Sequence, residues 1–168
     1  MTNIVRFVLL VLLQVLVLQY VRIGEGYWRS FHFLIYPLFI FLLPLRTPKG
    51  LVILLGFVVG LTVDFFYDSL GIHAAASTFT AFIRASVIRW LSPKGGYNIN
   101  FSPTRARMGL AWFIRYTSIL LFIHLFFYFS VEFFTYAYWA EILKHSISSF
   151  LASGLIILVQ QTIFGRLD

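Results

Sequence analysis

The sequence predicts an all-α integral membrane protein: six transmembrane helices with the N- and C-termini both cytoplasmic. Three observations predict it. Hydrophobic residues make up 60% of the chain and charged residues 11%, against about 45–50% and 25% in a soluble domain. The apolar residues gather in six long runs rather than in alternating patterns. The cations collect in the connections on one side of those runs, as the positive-inside bias requires. A chain of 168 residues has too little polar surface to cover so much apolar area in water. Soluble, disordered and disulfide-scaffold classes are therefore excluded. With no cysteine, thiolate nucleophiles and Cys-type zinc sites are excluded as well. The net charge of +7 does not point to nucleic acid, because the 13 Lys and Arg residues lie between apolar runs and not on one soluble face.

A spanning helix needs about 20 mostly apolar residues, since the hydrocarbon core is about 30 Å thick. The six runs are Phe7–Tyr20, Phe31–Leu45, Leu51–Phe66, Ile72–Leu91, Leu110–Phe133 and Ile147–Phe164. They form one membrane domain over residues 1–168. Each is too long and continuous for a barrel strand. The first, after Arg6, has the form of a signal-peptide core. No small-residue cleavage site follows it, only Gln19-Tyr20-Val21-Arg22, so a retained span is expected. The second is short and holds Pro37, with Pro44 at its end. A kink is expected at Pro37, and Tyr27 and Trp28 are placed to extend this span as interfacial anchors.

With six spans, one side holds Arg6, Arg46, Lys49, Arg89, Lys94, Arg105, Arg107 and Arg166, with Arg84 and Arg115 inside helices but nearer that side. The other side keeps Arg22, Arg29 and Lys144. The cation-rich side is cytoplasmic. Glu25, Asp64, Asp68, Glu132 and Glu141 then fall on or toward the outer side. The largest connection, Ser92–Gly109, is a basic cytoplasmic loop carrying Lys94, Arg105 and Arg107. Ser102 is a good helix N-cap with Pro103 at the first helical position. The loop is either a solvated topology signal or a docking surface for a cytoplasmic partner or anionic lipid.

Polar residues inside spans are costly and need partners. At 1.5 Å per residue they sort into two layers. The inner layer holds Gln14, Arg84, Arg115 and Gln160; the outer holds Asp64, Asp68, His124 and Glu132. Arg84 and Arg115 either snorkel to the inner headgroups or form a cluster that fixes packing or binds an anionic lipid. Asp64 and His124 lie at similar depth, where they can meet in a structural hydrogen bond or in a proton or ligand site. Gly56 and Gly60 form a GxxxG face on the third span, suited to close packing within the monomer or against a partner's helix. Ser149, Ala152, Ser153 and Gly154 give the sixth span a second small face.

No catalytic constellation emerges. Asp64 and Asp68 share one helix face, the spacing of carboxylates that hold magnesium, but such sites draw on a second acidic motif and only Glu132 and Glu141 remain nearby. The histidines His32, His73, His124 and His145 have no ligand spacing. There is no Gly-rich phosphate loop or serine-nucleophile motif. No enzyme, cofactor or metal is expected.

Three pieces carry a resemblance. One is Tyr36-Pro37-Leu38-Phe39 through Leu43-Pro44-Leu45-Arg46-Thr47-Pro48. The second runs from Leu55 to Ala76 and contains Gly60-Leu61-Thr62-Val63-Asp64 and Gly71-Ile72-His73-Ala74. The third is Pro93-Lys94-Gly95-Gly96-Tyr97. On these the chain resembles the MreD family of rod shape-determining membrane proteins, in its Bacteroidetes-type form. The resemblance makes Asp64, Gly71 and His73 motif positions of open role. It implies a non-enzymatic inner-membrane scaffold that binds MreC, a single-span protein with a periplasmic coiled coil. Through MreC come actin-like MreB and the elongation glycosyltransferase and transpeptidase of peptidoglycan synthesis. It also implies a bundle similar to the substrate-binding subunit of energy-coupling-factor transporters, so a vitamin-type transporter subunit is the alternative. Those subunits meet their ATPase-coupled partner through an Ala-x-x-x-Ala face on the first helix, whereas Val11 to Leu18 here contains no alanine.

Overall fold

The computed structural model describes residues 3–20, 32–69 and 71–163. The described residues are all-helical, with no sheet. The expected anchors Tyr27 and Trp28, the charges Arg22, Glu25, Arg29 and Arg166, and the span ends Phe31 and Phe164 lie outside them.

Helix α1 covers Asn3–Leu13 and passes into a π-helical turn, Gln14–Leu18. A four-residue helix α2 covers Leu38–Phe41. Helices α3 (Lys49–Tyr67) and α4 (Ile72–Trp90) form a hairpin. A short α5, Arg105–Met108, leads into α6 (Leu110–Phe133), and a 3-10 turn at Tyr136–Tyr138 leads into α7 (Trp139–Ile163). Helices α3, α6 and α7 are each long and apolar enough to cross a bilayer, and the chain is a multi-pass membrane protein.

The exterior carries the physical argument. On α7 the buried stripe includes Ser146, Ser149, Ser153 and Gln161, while Leu151, Leu155 and Ile163 are exposed. On α3 the face of Gly56, Val59, Gly60 and Asp64 is buried and Leu54, Phe57, Leu61 and Phe65 are exposed. Small and polar groups inside with large apolar groups outside suit a lipid solvent, in which helix association rests on close packing and hydrogen bonds. Helix α4 is the central element. It packs on α3 and α6, and of its residues Phe82, Ser86, Arg89 and Trp90 are exposed. Burial inside the bundle gives His73, Ser77, Thr80 and Arg84 of this helix a protein surrounding.

One expected span departs from the sequence reading. Over Phe31–Leu45 a helix is predicted; the described part, 32–45, contains only the four helical residues of α2. The rest is extended or turned, and Leu34 through Leu43 are buried without exception. The cause is proline. Pro37 and Pro44 lack an N–H and cannot sit in a helix interior, so Pro37 becomes the residue before α2 and Pro44 follows its end. Elsewhere the boundaries agree closely, with one extension. Helix α7 begins at Trp139 rather than Ile147. Glu141 stands in its first turn, where a carboxylate is favourable, and faces Lys144 and His145 one turn on. The cap predicted at Ser102 falls instead at Thr104, and α5 starts two residues later than Pro103.

Candidate functional site

The polar interior is built around segment 32–43. Irregular backbone at membrane depth is tolerated only where its groups find partners inside the protein. Gln14 supplies them first. Its Oε1 accepts from the Ile35 N–H at 2.8 Å and its Nε2 donates to the Phe33 carbonyl at 2.9 Å. The same Nε2 lies 2.6 Å from the Tyr67 hydroxyl. From α7, Ser149 Oγ accepts the His32 N–H at 3.0 Å and Ser153 Oγ the Leu34 N–H at 2.8 Å. The second small face of the sequence thus holds this segment. Gly154 of that face lies against Leu121 of α6.

At the other end of the segment three consecutive carbonyls take donors from three helices. Tyr116 Oη donates to Phe41 at 2.9 Å, Arg6 Nη1 to Leu42 at 3.2 Å, and Arg84 Nη2 to Leu43. Arg84 Nε also donates to Tyr116 Oη at 3.0 Å. Cations facing the final carbonyls of a short helix are favourably placed against its dipole. Arg84 therefore does not snorkel; it is 3% exposed and braces α2. Arg115 is exposed and does not join it. The expected inner layer is not one cluster. Gln14 lies at the Tyr67 end of α3, opposite to Arg84, and Gln160 is half-buried beside the Gln161 amide.

Asp64 closes the α3–α4 hairpin. Its two oxygens accept the backbone N–H groups of His73 at 3.0 Å and Ala74 at 2.8 Å, in the first turn of α4. Oδ1 also takes the Ser69 hydroxyl at 2.5 Å and His73 Nδ1 at 3.0 Å. A carboxylate on the exposed N–H groups of a helix start satisfies donors that have no intrahelical partner. The turn between the helices needs positive φ at Asp68 (51°) and Gly71 (85°), which explains a glycine at 71. Asp68 itself is exposed and does not join Asp64, so the carboxylate pair read from the sequence is not assembled. Among the described residues no group of three His, Asp or Glu gathers as a metal site.

His124 does not meet Asp64 either. Its Nε2 lies 2.9 Å from Tyr36 Oη and its Nδ1 3.0 Å from Thr80 Oγ1. Thr80 donates its proton to the Ala76 carbonyl at 2.7 Å, so Nδ1–H is the donor to Thr80 and Tyr36 donates to Nε2. The Tyr36 ring packs against both His73, the partner of Asp64, and His124, with centroids 5.6 Å and 5.4 Å away. Sequence reasoning missed Tyr36, Tyr67, Thr80 and Tyr116. The signal that exposes them is Pro37 and Pro44, since a proline-broken apolar run at membrane depth demands partners from elsewhere in the chain.

The GxxxG face is filled from within. A Cβ on Gly60 would stand 2.4 Å from the His73 carbonyl oxygen, and one on Gly56 2.8 Å from the Ala81 Cβ. Both glycines serve the contact with α4. The basic loop also folds back on the bundle. Leu45 and Arg46 donate to the carbonyls of Phe101 and Ile99, Arg105 donates to Thr162 Oγ1 at 2.8 Å, and Arg107 lies over the Phe101 ring. Tyr97 accepts from Trp112 and donates to the Ile88 carbonyl. Burial pushes its hydroxyl pKa up, partly offset by the Trp112 hydrogen bond, so it keeps the proton it donates. Lys94 is exposed.

No protein-family model, no curated protein and no solved structure matches the chain.

Proposed function

We propose that this chain is a non-enzymatic scaffold of the bacterial cell-elongation machinery in the inner membrane, the role that its resemblance to the MreD family implies. The supporting observation is where the buried polar groups are directed. Gln14, Asp64, Arg84, Ser149 and Ser153 are turned onto the chain's own backbone, and His124 onto Tyr36 and Thr80. Such groups hold a shape and leave the outer helix faces apolar. In this reading the chain crosses the membrane six times, the second time as the irregular segment 32–45, with the Arg84 end cytoplasmic.

The partner is MreC, held laterally by its single helix. Because α4 fills the Gly56–Gly60 face, the partner's helix is assigned to the wide apolar side of α1 and its π-helical turn, where Leu9, Leu12 and Leu16 are exposed. The glycosyltransferase, the transpeptidase and MreB follow through that contact, with the loop of Lys94 and Arg107 facing the cytoskeleton or anionic lipid.

The test is a pulldown of a tagged copy from native membranes, with mass spectrometry of bound proteins and small molecules. A single-span coiled-coil protein together with wall-synthesis enzymes is the expected result. An ATPase pair with a tightly bound vitamin would overturn the scaffold in favour of a transporter's substrate-binding subunit.

A further inference from the structure

At the Arg84 end lies a cavity of about 310 Å³, between the start of α3 and the last turns of α4. Thr47, Lys49, Arg84 and Arg89 line it, with Val52 and Ile88 among its apolar walls. Its three cations have no acid among the lining residues. The described carboxylates, Asp64, Asp68, Glu132 and Glu141, all stand toward the opposite ends of their helices or in the turn there.

Arg84 makes the cavity more than a charged rim. Its guanidinium is 3% exposed, and its hydrogen bonds go to a tyrosine hydroxyl and a backbone carbonyl, both neutral. A buried charge without a counter-charge is costly. Arg89 reaches Ser86 Oγ and Lys49 sits over the Phe82 ring, 4.0 Å from its centroid, so neither supplies the missing negative charge. The first turn of α3 adds to the deficit. Pro48 precedes it and provides no side-chain cap, which leaves the N–H groups of that turn open to an anion. A Cβ on Gly50 would meet nothing within 4 Å, so the approach is open. The neighbouring side chains Phe82 and Trp90 are exposed, as expected of residues facing acyl chains and headgroups.

We infer that this cavity is a binding site for the phosphate of an anionic phospholipid, with Arg84 as its buried counter-charge and Lys49 and Arg89 closing on it from the rim. Basic pockets between membrane helices on the cytoplasmic side take such headgroups. The inference is independent of the partner assigned to the scaffold.

Arg84→Gln is a poor test, since it also removes the brace on Leu43. The rim is better. The full chain, purified in detergent, is titrated with phosphatidylglycerol, phosphatidylcholine and inorganic phosphate, and bound species are counted by native mass spectrometry. Phosphatidylglycerol is retained in preference to phosphatidylcholine. The Lys49→Gln/Arg89→Gln double variant weakens that retention about thirtyfold with an unchanged melting temperature, while Lys144→Gln, at the opposite end of the bundle, has no effect. Equal retention of the two lipids, or an unaffected double variant, overturns the site. Protection by inorganic phosphate without lipid preference overturns the lipid assignment.

Discussion

Gln14 and Ile35 are joined as two peptide units in a sheet would be: the side-chain amide of Gln14 takes the Ile35 N–H at 2.8 Å and gives its own N–H to the Phe33 carbonyl at 2.9 Å. One residue just past the end of α1 thereby satisfies both sides of a stretch of backbone that has no helix or strand of its own. The π-helical turn begins at this residue, and such turns often accompany a side chain with a specific task.

Gln14→Leu removes both bonds and leaves buried polar backbone without partners. Each orphaned group costs about 1–3 kcal/mol, so a loss of about 2–6 kcal/mol is expected. Thermal unfolding of the purified protein in detergent, followed by size-exclusion fluorescence, measures it. An unchanged melting temperature would show that the segment finds other partners.

Gly60→Ala places a Cβ 2.4 Å from the His73 oxygen and 2.5 Å from the Ala74 Cα. Both obstacles are backbone, so the α3–α4 hairpin must part. Little folded material is expected in membranes. Gly50→Ala is the paired control, because nothing lies within 4 Å of its added Cβ, and alanine is favoured over glycine in a helix by about 1 kcal/mol. Folded yields that fall equally in both variants would contradict the close approach at Gly60.

Asp64→Ala strips the acceptor from two N–H groups at the start of α4, and a loss of about 2–4 kcal/mol is expected. Asp64→Asn keeps one acceptor oxygen and loses less. Hydrogen exchange of the His73 and Ala74 amides reports the effect directly. Both should exchange faster in the alanine variant, and Ala75, which bonds to Gly71 O at 2.9 Å, less so. Equal acceleration along the whole of α4 would mean that Asp64 supports general stability and not the cap.

The relation of sequence to structure is clearest in α3 and in the segment before it. The apolar run from Leu51, its small-residue face and the place of Asp64 near its far end were all readable from residue order. What fills the glycine face was not, since a GxxxG motif suits an internal helix and a partner equally well. For 32–45 the prolines announced a break, but not that the chain would remain largely non-helical.

Hydropathy, which is a property of neighbouring residues, was enough to mark this chain as a membrane protein and to delimit its apolar runs. Which polar groups meet was settled only by folding. Leu34 bonds to Ser153 across 119 residues and Arg84 to Leu43 across 41. Gln14 leaves its expected layer, and Asp64 and His124 take separate partners, the start of α4 for one and Tyr36 and Thr80 for the other. The physical reason is that apolar burial is non-directional and scales with area, so a local window captures it, whereas a hydrogen bond needs its partner within about 3 Å and well aligned, a condition that depends on how distant helices rotate against one another.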